Sequence, residues 1–342
     1  LLLLLLAIGA SHLSHGYVWG ARMSMWEFCK LGAFYLLVVG LITTPQRLFT
    51  FTKMLALAIT TVSGLALLDR SGILSIAALD SIRDRAGTGA DNTVLIERIR
   101  GTGIFNDPND FGLILVTGLV LSVCFFTRPR VGWPRYLWLA PAALLLTVLS
   151  LTHSRGAFLS LACAIPAAIA YRKNVSFGIV SLLGIPLLAI IFSGRMTDWS
   201  ALRSGTGQSR LQIWSDSLMI WRQSPIFGLG EGMLVEETGV VTHNSFLHCF
   251  AELGIFGGSV FVACFLAAGL GLWALRGQTR SREGGNPPTT ELRDLAHVRL
   301  FIFAAMAAYV GGLLALSRQF GTPTNLSLGL ATAAQTISRG AE

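Results

Sequence analysis

The stretch VTHNSFLHCFAELGIFGG, residues 241–258, decides how the chain reads. It opens an apolar run over 245–273, longer than the ~20 residues a helix needs to cross the hydrocarbon core of a bilayer. His243 stands at the mouth of that run, after a polar loop rich in arginine. A titratable group at a membrane boundary is costly, so one kept there is a functional candidate by default.

Composition agrees with a membrane reading. The 342 residues are 53% hydrophobic and only 13% charged, with a mean hydropathy of +0.62. That is too apolar for a soluble domain of this length and implies a polytopic membrane protein. The 26 Lys and Arg against 18 Asp and Glu leave a net charge of +8. These charges are scattered between apolar runs rather than gathered in a basic patch, so the excess reads as topological and nucleic acid is not an expected partner. The five cysteines, Cys29, Cys124, Cys163, Cys249 and Cys264, lie in or beside apolar runs without CxxC or zinc spacing. They read as small hydrophobes, and neither a disulfide framework nor a metal site is expected. The opening LLLLLLAIGA has no basic n-region and reads as the tail of a transmembrane helix.

By the length criterion, apolar spans fall at 1–10 (truncated), 28–44, 51–68, 109–127, 136–153, 156–171, 175–193, 245–273, 299–316 and 323–337. The expected fold is therefore all-α, a single integral membrane domain over 1–342 with about ten transmembrane helices. Loops 44–53, 128–135 (RPRVGWPR), 172–174 (RKN) and 274–298 carry little acid, only Glu283, Glu291 and Asp294. The positive-inside rule puts them on the cytoplasmic side. The opposite side receives two long polar segments, 69–108 and 194–244. Arg155, Arg195, Arg203, Arg210 and Arg222 lie there, either as functional groups or as headgroup anchors.

Within the second outer segment, GQSRLQIWSDSLMIWRQSP (207–225) places Leu211, Trp214, Leu218 and Trp221 on one face of a helix, with Arg210, Gln212, Ser215 and Asp216 elsewhere. Such a helix either lies flat at the bilayer interface or packs against the bundle. Pro225 with Gly228, Gly230 and Gly232 ends it. The first outer segment ends RIRGTGIFNDPNDFG (98–112), where Asn106 or Asp107 can cap a helix whose first turn holds Pro108. Asn109 and Asp110 then sit at its outer mouth, as cap residues or as substrate contacts. GLGEG (228–232) is not a dinucleotide loop, because no strand precedes it. His243 and His248 are about 140° apart on a helix, poor geometry for shared metal ligation. His248 and Glu252 can face each other across one turn, as a satisfied pair or as cavity lining. His153, before Ser154 and Arg155 at another outer helix end, reads equally as structural or functional.

SRGAFLSL (154–161), then Arg210-x-x-x-Trp214 with Pro225-x-x-Gly228-x-Gly230, then HNSFLHCFAELGIFGG, together resemble the bacterial O-antigen ligase and Wzy-type polysaccharide polymerase family; FNDPNDFG (105–112) is similar to a further element of its members. The resemblance covers about residues 98–260, including the loop 194–244. It implies an integral membrane glycosyltransferase of the C-type (GT-C) fold in the bacterial inner membrane, active on the periplasmic face in assembly of lipopolysaccharide or exopolysaccharide. The implied donor is a glycan on undecaprenyl pyrophosphate, and the acceptor is lipid A core, another glycan or a protein hydroxyl. Ligase and polymerase are not distinguished. By resemblance His243 matches the catalytic histidine, and Arg155 and Arg210 match arginines associated with the donor pyrophosphate. Asn244, Trp214 and Asn109 are candidate supporting residues.

The residue chemistry suits that reaction. A glycosyl pyrophosphate already carries a good leaving group, so the enzyme must hold phosphates and deprotonate a hydroxyl. Guanidinium groups bind phosphate oxygens in a bidentate fork, and a histidine of pKa about 6.5 supplies a neutral base. With no DxD motif on the outer side, a metal-independent, cofactor-free and inverting transfer is expected. The rival reading, a transporter or flippase for lipid-linked oligosaccharides, calls for polar groups near the bilayer midplane and broken helices. Here the ionisable residues gather at helix mouths instead.

Overall fold

The computed structural model describes residues 1–79, 81–86, 94–128, 131–185, 206–277 and 290–340. Its helices are α1 (Leu2–Leu13), α2 (Val18–Leu41), α3 (Pro45–Arg70), α4 (Pro108–Phe126), α5 (Leu139–Leu151), α6 (Arg155–Arg172), α7 (Val175–Ser181), α8 (Thr206–Gln223), α9 (Met233–Thr238), α10 (Ser245–Ala274), α11 (Thr290–Leu313) and α12 (Thr322–Gly340). Among the described residues six helical segments are long and apolar enough to cross a bilayer: α2, α3, α4, α5 with its leading turn from Trp133, α10 with its trailing turn to Gly277, and α11. The chain is thus a multi-pass membrane protein. All ten expected spans coincide with helix as far as the described residues go, but α1 and Val175–Gly184 are short, and α6 and α12 fall below the standard the six meet.

The helices that bring polar residues to the site start where capping chemistry dictates. Asp107 precedes Pro108 and its carboxylate accepts from the backbone N–H groups of Asn109 and Asp110. Ser154 accepts from Ala157 N at the head of α6, and Asn244 accepts from Phe246 N and Leu247 N at the head of α10. Each cap satisfies donors that a helix leaves orphaned at its N-terminus.

The purely helical expectation fails at one place. Within the 69–108 segment, β1 (Ile82–Ala86) pairs antiparallel with β2 (Val94–Arg98), Asp84 opposite Ile96. β-branched Val94 and Ile96 favour an extended backbone. Periods long enough to betray a membrane helix hide so short a hairpin.

Burial sorts the bundle. In α4, 72% of the span is buried and in α11 56%, against 11% in α2 and 17% in α5, so α4 and α11 form the centre and the other two the lipid-facing edge. One apolar cluster joins α1, α2, α10, α11 and α12 and reaches α3, α4 and α6 through Leu48, Leu113, Cys124 and Tyr171. A second joins α3, α4, α5 and α6 to α11 through Ala304 and Ala308. Without a hydrophobic drive between helices in lipid, close approach depends on small residues and interhelical hydrogen bonds. Ser160 Oγ donates to Ala308 O at 2.7 Å. A Cβ on Gly112 would stand 2.6 Å from that of Ala157, and one on Gly311 2.5 Å from Cys163 Sγ. Gly112→Val is expected to destabilise by about 1–3 kcal/mol through overpacking. The readout is the melting temperature of the solubilised protein; an unchanged value would mean that α4 and α6 do not meet there.

Candidate active site at the mouth of α10

His243 adopts a left-handed backbone conformation, φ 52°, and among the described residues only His153, φ 48°, shares this without being glycine. Both stand immediately before a helix cap, Ser154 of α6 and Asn244 of α10. Positive φ in a residue with a Cβ costs on the order of 1 kcal/mol and persists only where surroundings impose it. At His243 they do. Trp214 Nε1 donates to Thr242 O at 2.8 Å, Thr242 Oγ1 donates to Asn244 O at 3.1 Å, and Asn244 is bound to the first turn of α10. Trp214 and Asn244, expected as supporting residues, thus flank the histidine.

Arg210 reaches the same place because of the phase of α8. At about 100° per residue, positions 210, 214, 217 and 221 fall within roughly 60° of one another. Trp214 is the residue bound to Thr242, Ser217 is fully buried, and the Trp221 ring packs 5.3 Å from that of Phe250 in α10. Arg210 therefore shares the face turned to α10, not a separate polar face as its neighbours suggest. Leu211 and Leu218, assigned to the apolar stripe, are 62% and 42% exposed. The helix packs by its tryptophans and leaves its leucines free. The His243 imidazole is held below the ordinary histidine pKa, first by burial and then by the Arg210 charge, with Asp107 and Asp110 opposing.

Asn109 belongs to a neighbouring framework. Its side-chain carbonyl accepts from Arg98 at 2.9 Å, and the same arginine donates through Nε to Thr152 O at 2.8 Å, tying the end of β2 to the mouths of α4 and α5. Arg155 is the first residue of α6. A Cβ on its neighbour Gly156 would lie 3.2 Å from Ala315, and Leu316 O accepts from Ser245 Oγ at 2.6 Å, so Arg155 lies on the rim that carries the head of α10. Arg222 is exposed at the end of α8. Arg195 and Arg203 lie outside the described residues.

The largest omission from the sequence reading is Arg318. It forks onto Asp110, with Nε 2.8 Å from Oδ1 and a second contact to Oδ2. The carboxylate holds the Arg318 guanidinium above its ordinary pKa. Beside the pair a cleft of about 230 Å³ is lined by Phe105, Tyr309 and Phe320 among others. The available signal was position: Arg318 falls between the 299–316 and 323–337 spans, on the side of the other rim arginines.

The glycine motif closes a break in α10. Gly254 has φ 65° and ψ −166° inside the helix. The loop 225–230 enters there: Leu229 N donates to Ala251 O at 3.0 Å, Gly230 N to Glu252 O at 2.9 Å, Ile255 N to Pro225 O at 2.8 Å and Phe256 N to Ile226 O at 3.2 Å. A Cβ on Gly228 would come within 2.3 Å of the Glu252 carbonyl. The motif is a backbone clasp. Beside it Glu252, 1% exposed, accepts from Leu234 N at 3.3 Å and lies 3.0 Å from His248 Nε2.

The multi-pass bundle thus places His243 and Arg210 toward one rim. Residues 140–262 match a protein-family model described as O-antigen ligase. A Salmonella muenchen protein named O-antigen polymerase is 29% identical over 177 residues, covering 46% of this chain and 44% of that protein. The similarity to the O-antigen ligase family is thus confined to part of the chain, and the match spans less than half the length of that relative. The segment includes Arg155, Arg210, Trp214, His243 and Asn244; Asn109 precedes it.

Gly228→Val combines a disfavoured φ with collision against backbone and is expected to destabilise by about 1–3 kcal/mol or more. Hydrogen exchange at Ala251–Phe256 should rise in that variant. Unaltered protection there would show that the loop does not hold the break.

Proposed function

We propose that this protein transfers a glycan from undecaprenyl pyrophosphate to an acceptor hydroxyl, on the periplasmic face of the bacterial inner membrane, as an O-antigen ligase or polysaccharide polymerase of the C-type glycosyltransferase fold. The observation that carries the reading is the place of His243 at the α10 mouth beside the α8 face that holds Arg210 and Trp214, where burial and the Arg210 charge favour the neutral imidazole. In the reaction the acceptor oxygen attacks the anomeric carbon and its proton passes to the His243 imidazole. The bond from that carbon to the pyrophosphate oxygen breaks, and its electron pair leaves on undecaprenyl pyrophosphate. Attack opposite the leaving group inverts the anomeric configuration. Arg210 and Arg155 hold the pyrophosphate, supplying fixed positive charge where negative charge grows, so the step needs no metal.

The break in α10 is a feature that transporters share. Here, however, the loop 225–230 takes up the backbone groups beside it, and the ionisable residues of the site stand at the helix mouths. That arrangement supports chemistry at the surface over passage through the core.

In liposomes supplied with the lipid-linked donor and candidate acceptors, His243→Ala is expected to lose about a hundredfold or more in turnover, the share of a positioned general base. Turnover near that of the native protein would remove His243 from the mechanism, and movement of intact donor across the bilayer without glycan transfer would favour a transporter. The proton balance gives a second test. Because Arg210 depresses the His243 pKa, the base is lost to protonation only below the usual histidine range; Arg210→Gln should move the acidic limb of the rate profile to higher pH. An unmoved limb would separate Arg210 from His243. Arg210→Lys keeps the charge but not the fork, and is expected to leave the limb in place while weakening donor binding.

A further inference from the structure

Behind the His243 turn lies a buried polar chain that the proposed chemistry does not use. Thr242 is fully buried, His248 is 3% exposed and Glu252 1%. The Thr242 hydroxyl has Asn244 O at 3.1 Å, His248 Nδ1 at 3.0 Å and Ser317 Oγ at 2.9 Å, and accepts from Asn244 N at 3.4 Å. It owns a single proton. When that proton goes to Asn244 O, both His248 Nδ1 and Ser317 must donate to Thr242, which specifies the tautomer of the ring. The other ring nitrogen then lies 3.0 Å from Glu252 Oε1. Glu252 in turn is fixed by Leu234 N and by the clasp at the α10 break. The chain of contacts runs from the glycine loop, through Glu252, His248 and Thr242, to the two residues on either side of His243.

Resting on the proposed glycosyl transfer, we infer that Thr242 and His248 are positioning residues for it: His248, braced by Glu252, orients the Thr242 hydroxyl and thereby the left-handed turn that presents the His243 imidazole. Neither touches substrate. They act by keeping the base where a strained backbone would otherwise relax, and displacement of about 1 Å at a reacting group is enough to cost on the order of a hundredfold in rate.

The two ring nitrogens can be tested separately in the full chain in nanodiscs with undecaprenyl-pyrophosphate glycan. His248→Gln keeps a donor toward Glu252 and loses the one toward Thr242; His248→Asn does the reverse. Thr242→Val removes the hydroxyl at constant shape, and Thr242→Ser restores it. We expect turnover to fall about tenfold or more in Thr242→Val and His248→Gln with donor KM within about twofold, and most of it to return in Thr242→Ser and His248→Asn. Turnover within about twofold of native in Thr242→Val and His248→Gln would overturn the inference. So would equal losses in all four variants that track the amount of folded protein, since that marks a purely structural pair. The ring signals of His243 in 15N-histidine-labelled protein provide a readout independent of activity. If the native protein transfers nothing, the proposed function fails, but signals that shift in Thr242→Val and His248→Gln and recover in the other two sustain the positioning role; unmoved signals sink it.

Discussion

Inside a bilayer every backbone N–H and C=O must find its partner within the protein, and that constraint governs the part of this molecule that matters most. The helix α10 is broken at Gly254, about ten residues from its head, roughly 15 Å along its axis at 1.5 Å per residue. Such a break is tolerable only if another segment supplies hydrogen bonds. The loop 225–230 does so through four of them, and by doing so it is anchored beside the helix rather than trailing from the surface. Everything on either side inherits that anchor: α8 before it and α9 after it are brought against α10, and Glu252 is set within reach of His248.

The site is assembled from segments far apart in the chain. The mouth of α4 contributes Asp110, and α8 contributes Arg210 and Trp214. The turn before α10 contributes His243, and the loop before α12 contributes Arg318, 208 positions from the carboxylate it binds. Ser317 and Arg318 hold that last loop from both ends of the site, one on Thr242 and the other on Asp110. Arg318 N also donates to Ser245 Oγ at 2.9 Å, so the head of α10 is tied to the same loop.

Much of this was legible in the residue order, because apolar runs longer than a bilayer is thick leave few choices for the backbone. The caps at Asp107, Ser154 and Asn244 were legible for a local reason, the chemistry of orphaned helix donors. What resisted was relational. The facing of α8 was left open between interface and bundle, since an apolar stripe does not say that Trp214 Nε1 finds its acceptor on Thr242 while Leu211 and Leu218 stay exposed. The grip of Arg318 on Asp110 has no local signature at either end. The hairpin β1–β2 is too short to stand out in a chain read for membrane spans, and GLGEG could be denied a nucleotide role without revealing that it mates with a helix break.

The left-handed backbone at His243 sets the proposed catalysis and folding at odds within a single residue. Glycine would occupy that conformation without strain. On the proposed function, the strain of that backbone is the cost of placing the imidazole. His153, at the head of α6, shares that conformation and the place before a cap.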